Sequence, residues 1–304
     1  MSNPQNLQRH NPKSTLGRVL ITGAGGQLGT EWRSELDRRN LPFEAFGSAE
    51  LDITDSDQVE ELISRVRPDV IINAAAYTKV DLAEQERDKA FSVNADAVGN
   101  LAASARSIGA LLVHYSTDYV FSGAAQDRAK WPGGYPEEAE THPVNTYGAS
   151  KLEGEVRLRE SGADWLCLRV SWLCGAHGKN FIKTVRRVAS ANGEMRVVND
   201  QYGSPTFTPD LVRKSLALIT SGRRGMVHIS SRGETNWHEF ACEIVRLSGI
   251  RATIHPIPTR EYPTPAPRPA FSRMDCSRME GFGLPAVPWK EGLAEVIREL
   301  DSHE

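Results

Sequence analysis

A tyrosine and a lysine four residues apart, Tyr147 and Lys151, are the clearest candidates for proton chemistry in this sequence. On a helix, residues at this spacing lie on one face. A free tyrosine has a pKa of about 10, so it exchanges protons poorly at neutral pH until a nearby ammonium group favours its phenolate. Lys151 can supply that charge. Alone, however, this spacing is more typical of a solvated helix face.

A second set of polar residues, Ser116, Thr117 and Asp118, follows the apolar run that begins at Leu111. Such a run predicts a strand, and open α/β sheets bind their ligands at the carboxyl ends of parallel strands. The sequence therefore predicts that these hydroxyl and carboxylate groups lie in an active site. Together with Tyr147 and Lys151 they form a combination that is rare by chance.

A glycine-rich turn follows the first predicted strand. Gly23, Gly26 and Gly29 give the spacing G-x-x-G-x-x-G just before a predicted helix. In that setting a tight turn lets backbone N–H groups and a helix N-terminus approach a pyrophosphate. A plain turn between strand and helix is the alternative, but the position after the first strand of a βαβ series favours dinucleotide binding.

The next two strand ends are less informative. The second ends at Phe46-Gly47-Ser48, which supplies neither the acid that favours NAD nor the arginine that favours NADP. Asp52, in the following loop, could accept from an adenine amino group or cap the next helix, and the sequence does not separate these roles. The third strand ends in alanines 74–76, whose small side chains would let the backbone lie against a cofactor.

Short apolar runs that alternate with helical periodicity predict an α/β fold, a Rossmann-like doubly wound parallel sheet. We expect a flexible tail over residues 1–17, a dinucleotide-binding domain over 18–170 that parts of 209–235 complete, and a smaller substrate-binding cap over 171–304. The predicted strands are Arg18–Thr22, Glu44–Gly47, Val70–Asn73, Leu111–Ser116 and Trp165–Val170. The predicted helices are Leu28–Arg39, Val59–Arg65, Glu84–Ile108, Tyr147–Glu160, Pro209–Ile219, Asn236–Leu247 and Lys290–Leu300.

Composition excludes several classes of protein. The 304 residues carry a net charge of −3, with 25 % charged and 39 % hydrophobic residues, which argues against a nucleic-acid binder and a disordered chain. The longest apolar stretch, Val70–Ala76, is too short to span a bilayer, and the polar N-terminus lacks a secretory signal. Four cysteines without a C-x-x-C pair predict buried thiols and neither disulfides nor a metal site. We therefore expect a cytoplasmic protein without a catalytic metal.

In this order, these features resemble the extended short-chain dehydrogenase/reductases. Within that group the finer motifs are similar to the dTDP-4-dehydrorhamnose reductases, most specifically in the middle third of the chain. The resemblance extends from Arg18 to Leu300, and its motifs are Asn73–Asp81, Ser116–Phe121, Ser171-Trp172, Asn199–Thr206 and Arg268-Pro269.

The resemblance implies a reductase that transfers a hydride from NADPH, or alternatively NADH, to the C4 ketone of dTDP-4-dehydro-L-rhamnose. Tyr147 would donate the proton, Lys151 would bind the nicotinamide ribose and tune Tyr147, and Thr117 would bond the C4 oxygen. Asp118 and Trp172 would line the sugar, and the cap would hold the thymidine diphosphate. A homodimer is a further expectation. The implied cofactor contacts are Gly23, Gly26, Gln27, Leu28, Gly29, Asp52, Ile53, Ala75, Ala76, Tyr77, Tyr115, Tyr147 and Lys151.

Other functions remain open. Another sugar-nucleotide reductase or epimerase would share the fold and the tyrosine–lysine pair, whereas a dehydratase needs an acid where Tyr119 follows Asp118. A non-catalytic subunit with this fold is a further alternative, since fold does not dictate function. The chain departs from the family at Gly47-Ser48, which leaves the choice of nicotinamide open. It also departs over Ser122–Pro143, where a long segment forms a lid or, more simply, a surface loop.

Overall fold

Strands and helices alternate through the first half of this computed structural model, which describes residues 16–302. The strands are β1 Val19–Thr22, β2 Phe43–Phe46, β3 Val70–Asn73, β4 Leu111–Thr117, β5 Asp164–Val170, β6 Leu173–Cys174, β7 Glu194–Val198, β8 Tyr202–Gly203, β9 Thr206–Phe207, β10 Gly225–Ile229, β11 Thr235–Asn236 and β12 Thr253–Ile257. The α-helices are α1 Gln27–Arg38, α2 Ser56–Val66, α3 Val80–Ala83, α4 Arg87–Phe91, α5 Ala97–Ile108, α6 Asp127–Lys130, α7 Thr146–Glu160, α8 Phe181–Asn192, α9 Thr208–Thr220, α10 Trp237–Leu247, α11 Ser277–Gly281 and α12 Trp289–Ser302.

Six strands form one parallel sheet in the order β10-β5-β4-β3-β1-β2. The inner strands are continuous apolar runs, as in Val70–Asn73, because both faces of a parallel sheet are covered. The chain turns back between β1 and β3, so a crevice opens at their carboxyl ends. The Rossmann-like, doubly wound fold is confirmed.

Hydrophobic clusters cover both faces of this sheet. Leu36 on α1 and Leu211 on α9 belong to one cluster, and Ile63 on α2 and Leu101 on α5 belong to the other. Leu16, near the end of the predicted tail, is buried in the first cluster, so the packed part of the chain begins before residue 18. The remaining predicted tail, residues 1–15, lies outside the described part of the chain.

We call the segments after β5, apart from α9 and β10, the cap region, and most of their buried apolar side chains form a third hydrophobic cluster. Its strands pair in twos, β6 with β9, β7 with β12 and β8 with β11. Its core combines aliphatic side chains with the aromatic rings of Phe207, Phe240 and Trp289. The domain boundary at residue 170 stays a prediction, although β10, from the predicted completing segment 209–235, pairs with β5.

Two predictions of helical structure need correction. The predicted helix Glu84–Ile108 is divided into α4, a π-helical turn at Ser92–Asp96, and α5. A further helix, α8, was not predicted, although the side chain of Asn180 caps its N-terminus and Gly193 ends it with a positive φ. None of the helices between residues 16 and 302 combines the length and apolar character that a membrane crossing requires. All four cysteines are free, two of them only partly buried.

Candidate active site

A cleft of about 680 Å³ opens at the carboxyl ends of β1, β2 and β3. Seven of the predicted cofactor residues line it, namely Gly23, Gly26, Asp52, Ile53, Ala75, Ala76 and Tyr77. Gly47 and Ser48, which follow the second strand, also line it, as do Gly25, Ala49 and Val93, which were not predicted. The dimensions and the position at the start of α1 suit a dinucleotide whose pyrophosphate lies at the helix N-terminus.

The three glycines of the turn have different tasks. Gly23 adopts a left-handed φ of 68° and lies against the backbone of Ala75, so a side chain there would clash with β3's end. A Cβ at Gly29 would overlap the Gly23 carbonyl and Ala24, which ties this glycine to folding of the turn. At Gly26 the closest protein atom to an added Cβ is the Gly23 oxygen at 3.3 Å, so this position faces the cleft.

Three other predicted cofactor residues direct their side chains away from the cleft. Leu28 is buried in the core, and the Tyr115 hydroxyl accepts from Trp32 Nε1 at 2.8 Å and donates to Ser215 at 3.1 Å. The Gln27 side chain donates a hydrogen bond to the Leu173 carbonyl of the cap region at 3.2 Å. Cofactor contacts from these residues would therefore come from the backbone.

The loop after β2 is held by two carboxylates. Asp52 Oδ1 accepts from the Thr54 amide at 2.9 Å and hydroxyl at 2.7 Å, so it shapes the turn. The cap of α2 is Asp55, not Asp52. Glu50 Oε2 accepts from the Gly47 amide at 2.7 Å, which places an acidic group beside Gly47-Ser48.

Helix α7 presents Tyr147 to the end of β4. The Asn145 side chain caps the helix by accepting from the Gly148 amide at 2.8 Å, which fixes where its first turn begins. Burial raises the pKa of Tyr147 to about 12, the nearby Thr117 hydroxyl lowers it, and the Asp118 carboxylate raises it further. Tyr147 is therefore a neutral phenol, able to donate a proton.

Asp118 is almost completely buried beside this phenol. Its Oδ1 accepts from the Thr117 hydroxyl at 3.0 Å, whereas Oδ2 has no hydrogen-bond partner among the described residues. Burial raises the pKa of Asp118 to about 7, against the lowering effect of the hydroxyl groups of Thr117 and Ser272. An unpaired buried carboxylate oxygen is costly, and a hydroxyl-bearing ligand would satisfy it.

Lys151 lies one helical turn beyond Tyr147 and points to β4. Its Nζ donates to the Tyr115 carbonyl at 2.6 Å and lies 3.2 Å from His114 Nε2. Burial lowers the pKa of Lys151 to about 8. We expected the Lys151 charge to favour a Tyr147 phenolate. In this structure burial instead raises the pKa of Tyr147, and the Lys151 amine is bonded to strand β4.

Trp172 follows β5 with a left-handed φ of 48°. Its ring stacks on Trp237 with centroids 3.8 Å apart, and its Nε1 donates to Ser272 at 3.1 Å. The tryptophan is only partly buried and lies at the edge of the cap core. A carboxyl-edge position was predicted, and the stacking partner was not.

A second cavity of about 400 Å³ adjoins these residues. Tyr119 lines it and packs edge-on against Tyr147 at 5.6 Å, while Trp237 joins it to Trp172. Aromatic and cationic groups face each other across it, namely Phe181, Trp237, Tyr262, Arg196 and Arg268. Arg268 forms a salt bridge with Asp81 at 2.8 Å, and both residues line this cavity, so the proline-rich segment of Arg268 contributes to its wall.

Comparison with known proteins agrees with this geometry. Residues 17–302 match the family described as the RmlD substrate binding domain. A dTDP-4-dehydrorhamnose reductase of Burkholderia thailandensis is 39 % identical over 93 % of this chain and 99 % of its own length. The crystal structure of dTDP-4-dehydrorhamnose reductase from Bacillus anthracis in complex with NADP is 40 % identical, with a TM-score of 0.89 over 93 % of this chain and 99 % of its own.

The chain belongs to the dTDP-4-dehydrorhamnose reductase family. A spore coat polysaccharide biosynthesis protein of Bacillus subtilis, SpsK, is also similar, at 38 % identity over 94 % of this chain and 98 % of its own. A Thermus thermophilus UDP-glucose 4-epimerase in complex with NAD is 20 % identical with a TM-score of 0.76, over 94 % of this chain and all of its own, and shares the fold alone.

In this member of the dTDP-4-dehydrorhamnose reductase family, one positioning residue had no signal in the sequence. Asn94, in the π-helical turn, accepts from the Tyr77 amide at 2.9 Å and donates to its carbonyl at 3.0 Å. It also donates to Ser150 on α7 at 2.9 Å. It thus joins the cleft wall to α7, and an asparagine inside a predicted helix gives no hint of this.

The long segment after β4 is anchored, in contrast to a lid. Tyr135 is buried and stacks on Phe121 with centroids 4.4 Å apart, and its amide donates to the Arg273 carbonyl at 2.9 Å.

Among residues 16–302, the one group of side chains with metal-ligand spacing is Glu31, His177 and Glu299. Glu31 lies on α1, His177 in the loop before α8 and Glu299 on α12, and none of them belongs to the Tyr147 cluster.

Proposed function

We propose that the chain reduces the C4 ketone of dTDP-4-dehydro-L-rhamnose to give dTDP-L-rhamnose, with NADPH as hydride donor and NADH as the alternative. The observation that carries the proposal is the cluster of Tyr147, Thr117, Asp118 and Lys151 at the end of β4, between the glycine-lined cleft and the aromatic cavity. Family membership and the NADP complex of the Bacillus anthracis relative support it.

Proton delivery is the task of Tyr147. When hydride reaches C4 from the nicotinamide, negative charge develops on the C4 oxygen, and a neutral phenol can protonate it. Thr117, whose hydroxyl donates to Asp118 Oδ1 in this structure, would turn to donate to the same oxygen of the substrate. The Lys151 amine would bind the nicotinamide ribose, which the cleft brings to that side of the site.

The aromatic cavity suits the nucleotide part of the substrate. Phe181, Trp237 and Tyr262 offer ring faces for a base, while Arg196 and Arg268 offer charge for a diphosphate. Trp172 and Asp118 then face the sugar between cavity and cleft. Binding of the sugar would supply the missing partner for Asp118 Oδ2.

The test is to mix the purified chain with dTDP-4-dehydro-L-rhamnose and either NADPH or NADH and to follow the absorbance of the reduced nicotinamide. We expect oxidation of the nicotinamide and formation of dTDP-L-rhamnose, identified by NMR. No turnover with either nicotinamide contradicts the proposal. If nicotinamide and sugar nucleotide still bind, that result favours the non-catalytic subunit.

An epimerase keeps its NAD bound through each cycle, whereas a reductase exchanges it. Release of nicotinamide during purification is therefore expected here, and retained NAD with interconversion of sugar epimers would favour the alternative. Location in the cytoplasm and assembly as a homodimer complete the proposal. Cell fractionation and light scattering test them.

A further inference from the structure

A buried chain of hydrogen-bonding groups leads from Lys151 on α7 through His114 on β4 to Asn73 on β3. The imidazole of His114 stands between Lys151 and Asn73, with Nε2 3.2 Å from Lys151 Nζ and Nδ1 3.1 Å from Asn73 Nδ2. All three side chains are at most 2 % exposed. Buried polar groups of this kind must satisfy one another.

The orientation of Asn73 fixes the first step. Its Oδ1 accepts from the Thr22 hydroxyl at 2.8 Å and from the Ala75 amide at 3.3 Å. A backbone amide can only donate, so the oxygen of Asn73 faces Ala75 and its NH₂ group faces His114. The NH₂ group is also only a donor. His114 Nδ1 must therefore accept, and the single proton of the neutral ring lies on Nε2.

The Nε2–H group of His114 then points at Lys151 Nζ. A lysine ammonium group has three N–H donors and no lone pair, so in the charged state two donors face each other. An uncharged amine has a lone pair that accepts the Nε2 hydrogen, and it can still donate to the Tyr115 carbonyl at 2.6 Å. The arrangement therefore disfavours the ammonium form.

We propose that His114 is a positioning residue that donates its Nε2 hydrogen to Lys151 and so stabilises the uncharged amine of that lysine. The catalytic consequence rests on the proposed reductase function. A lysine of this kind exchanges a proton close to neutral pH, and so it can return a proton to Tyr147 after each turnover. The hydrogen bond itself does not depend on which substrate is reduced.

The charges around Lys151 agree with this direction only in part. Burial lowers the pKa of Lys151, while the Cys167 thiol on β5 and the Glu155 carboxylate on α7 act to raise it. Glu155 is already paired with Arg169 at 2.7 Å. Burial holds the pKa of His114 well below its usual range, and a charged Lys151 would lower it further, so the ring stays neutral and keeps one proton in either state of the lysine.

The wild-type protein gives the first test. In protein labelled with ¹⁵N-histidine, the nitrogen shifts distinguish Nε2–H from Nδ1–H rings, and we expect the Nε2–H form for His114 without titration at mildly acidic pH. The other fully buried histidine, His228, is identified by its loss in His228→Gln. An Nδ1–H ring at His114 overturns the proposal.

The second test removes the donor. In His114→Gln the new amide oxygen can accept from a charged Lys151, so the midpoint of its titration, followed by ¹³Cε-lysine NMR in the ligand-free chain, should rise by about one pH unit or more. Lys151→Met assigns the signal. His228→Gln is the matched control, because His228 is equally buried but contacts Arg169 at 3.4 Å, and it should leave the midpoint unchanged.

An unchanged midpoint in folded His114→Gln, or an equal rise in the control, contradicts the proposal. If His114→Gln does not fold, the histidine tautomer in the wild type decides alone. The pH profile of kcat should move in the same direction as the titration. Neither NMR measurement needs turnover, so a chain that lacks reductase activity would refute the proposed function and leave this test intact.

Discussion

The sheet and the cap region position their functional residues by different means. Tyr147, Thr117 and Lys151 are fixed by regular hydrogen bonding, at a capped helix N-terminus and the end of an inner strand. Trp172 and Tyr262, in the cap region, depend on ring stacking and on irregular segments. We infer that the sheet controls the chemical step and the cofactor, whereas the cap region controls affinity for the sugar nucleotide.

The strongest way to break this comparison is Tyr147→Phe. Loss of a positioned proton donor should lower kcat by roughly 10²–10⁴ while cofactor affinity and melting temperature stay close to wild type. Tyr119→Phe is the matched control, since its ring touches Tyr147 and it lines the nucleotide cavity. Steady-state kinetics of both variants decide the matter, and near-normal turnover of Tyr147→Phe would remove the tyrosine from catalysis.

Gly26→Val tests the cofactor side of the sheet. A branched side chain would fill the place where a pyrophosphate meets α1, so NADPH affinity should fall by about 100-fold or more, as measured by calorimetry. The added Cβ meets only the Gly23 carbonyl oxygen, at 3.3 Å, a tight contact that a shift of a few tenths of an ångström relieves, so the variant should fold. Gly133→Val, at a glycine with no atom within 4 Å of an added Cβ, is the control. Unchanged affinity at Gly26 would place the pyrophosphate elsewhere.

Asp118→Asn tests whether the site holds a destabilising carboxylate. Because the folded pKa of Asp118 is about 7 and the unfolded value about 3.9, the folded chain keeps this proton longer, and wild-type stability falls as pH rises between these values. Asp118→Asn removes the ionisable group, so the stability of the variant does not fall in this way as pH rises. It should therefore be more stable than wild type by about 2–4 kcal/mol above pH 7, and this difference should disappear near pH 4.

Urea unfolding of both proteins across this pH range measures the difference in the ligand-free state. The same variant should bind the sugar nucleotide less well, because a ligand hydroxyl would lose its carboxylate acceptor. Parallel pH profiles of stability would mean that Asp118 ionises as easily in the folded chain as in the unfolded one.

Trp172→Ala sharpens the comparison from the cap side. We expect about a tenfold higher KM for the sugar nucleotide with little change in NADPH affinity. Since the ring also stacks on Trp237, some loss of melting temperature should accompany it. A large fall in melting temperature with unchanged KM in the folded fraction would assign the ring to the scaffold alone.

The smallest effect is expected at Tyr262, which is 60 % exposed on the wall of the nucleotide cavity. Tyr262→Ala should raise the KM about two- to fivefold through a lost stacking contact and leave thermal stability unchanged. Val144→Ala, at the other large exposed apolar side chain, is the control. Equal kinetics of the two variants would exclude a contact between Tyr262 and the substrate.

The same contrast separates what the sequence could predict from what it could not. Strands such as Val70–Asn73 and the turn at Gly23 follow from local patterns, because both faces of an inner strand are apolar and a tight turn needs glycine. The short pairings of the cap region have no such pattern. The contact of Trp172 with Trp237 joins residues 65 positions apart in numbering, and nothing local in either segment specifies the partner.

Side-chain direction was the second limit. The sequence places Tyr115 at the edge of the sheet, but its ring points into the core because β4 alternates its faces and Trp32 offers the hydroxyl a partner. Asn94 and His114 act through hydrogen bonds to distant segments, and such partners become known only when the fold brings them together.

The position of β10 has a consequence for how a ribosome must make this protein. This edge strand follows five cap-region elements in chain order, β6, α8, β7, β8 and β9, and α9, which precedes it, packs on α1 near the start of the chain. Until residue 229 has left the ribosome, β5 has an unpaired edge and α1 an uncovered apolar face. Nascent chains stalled before α9 should therefore bind chaperones or aggregate, and release should begin once β10 can pair.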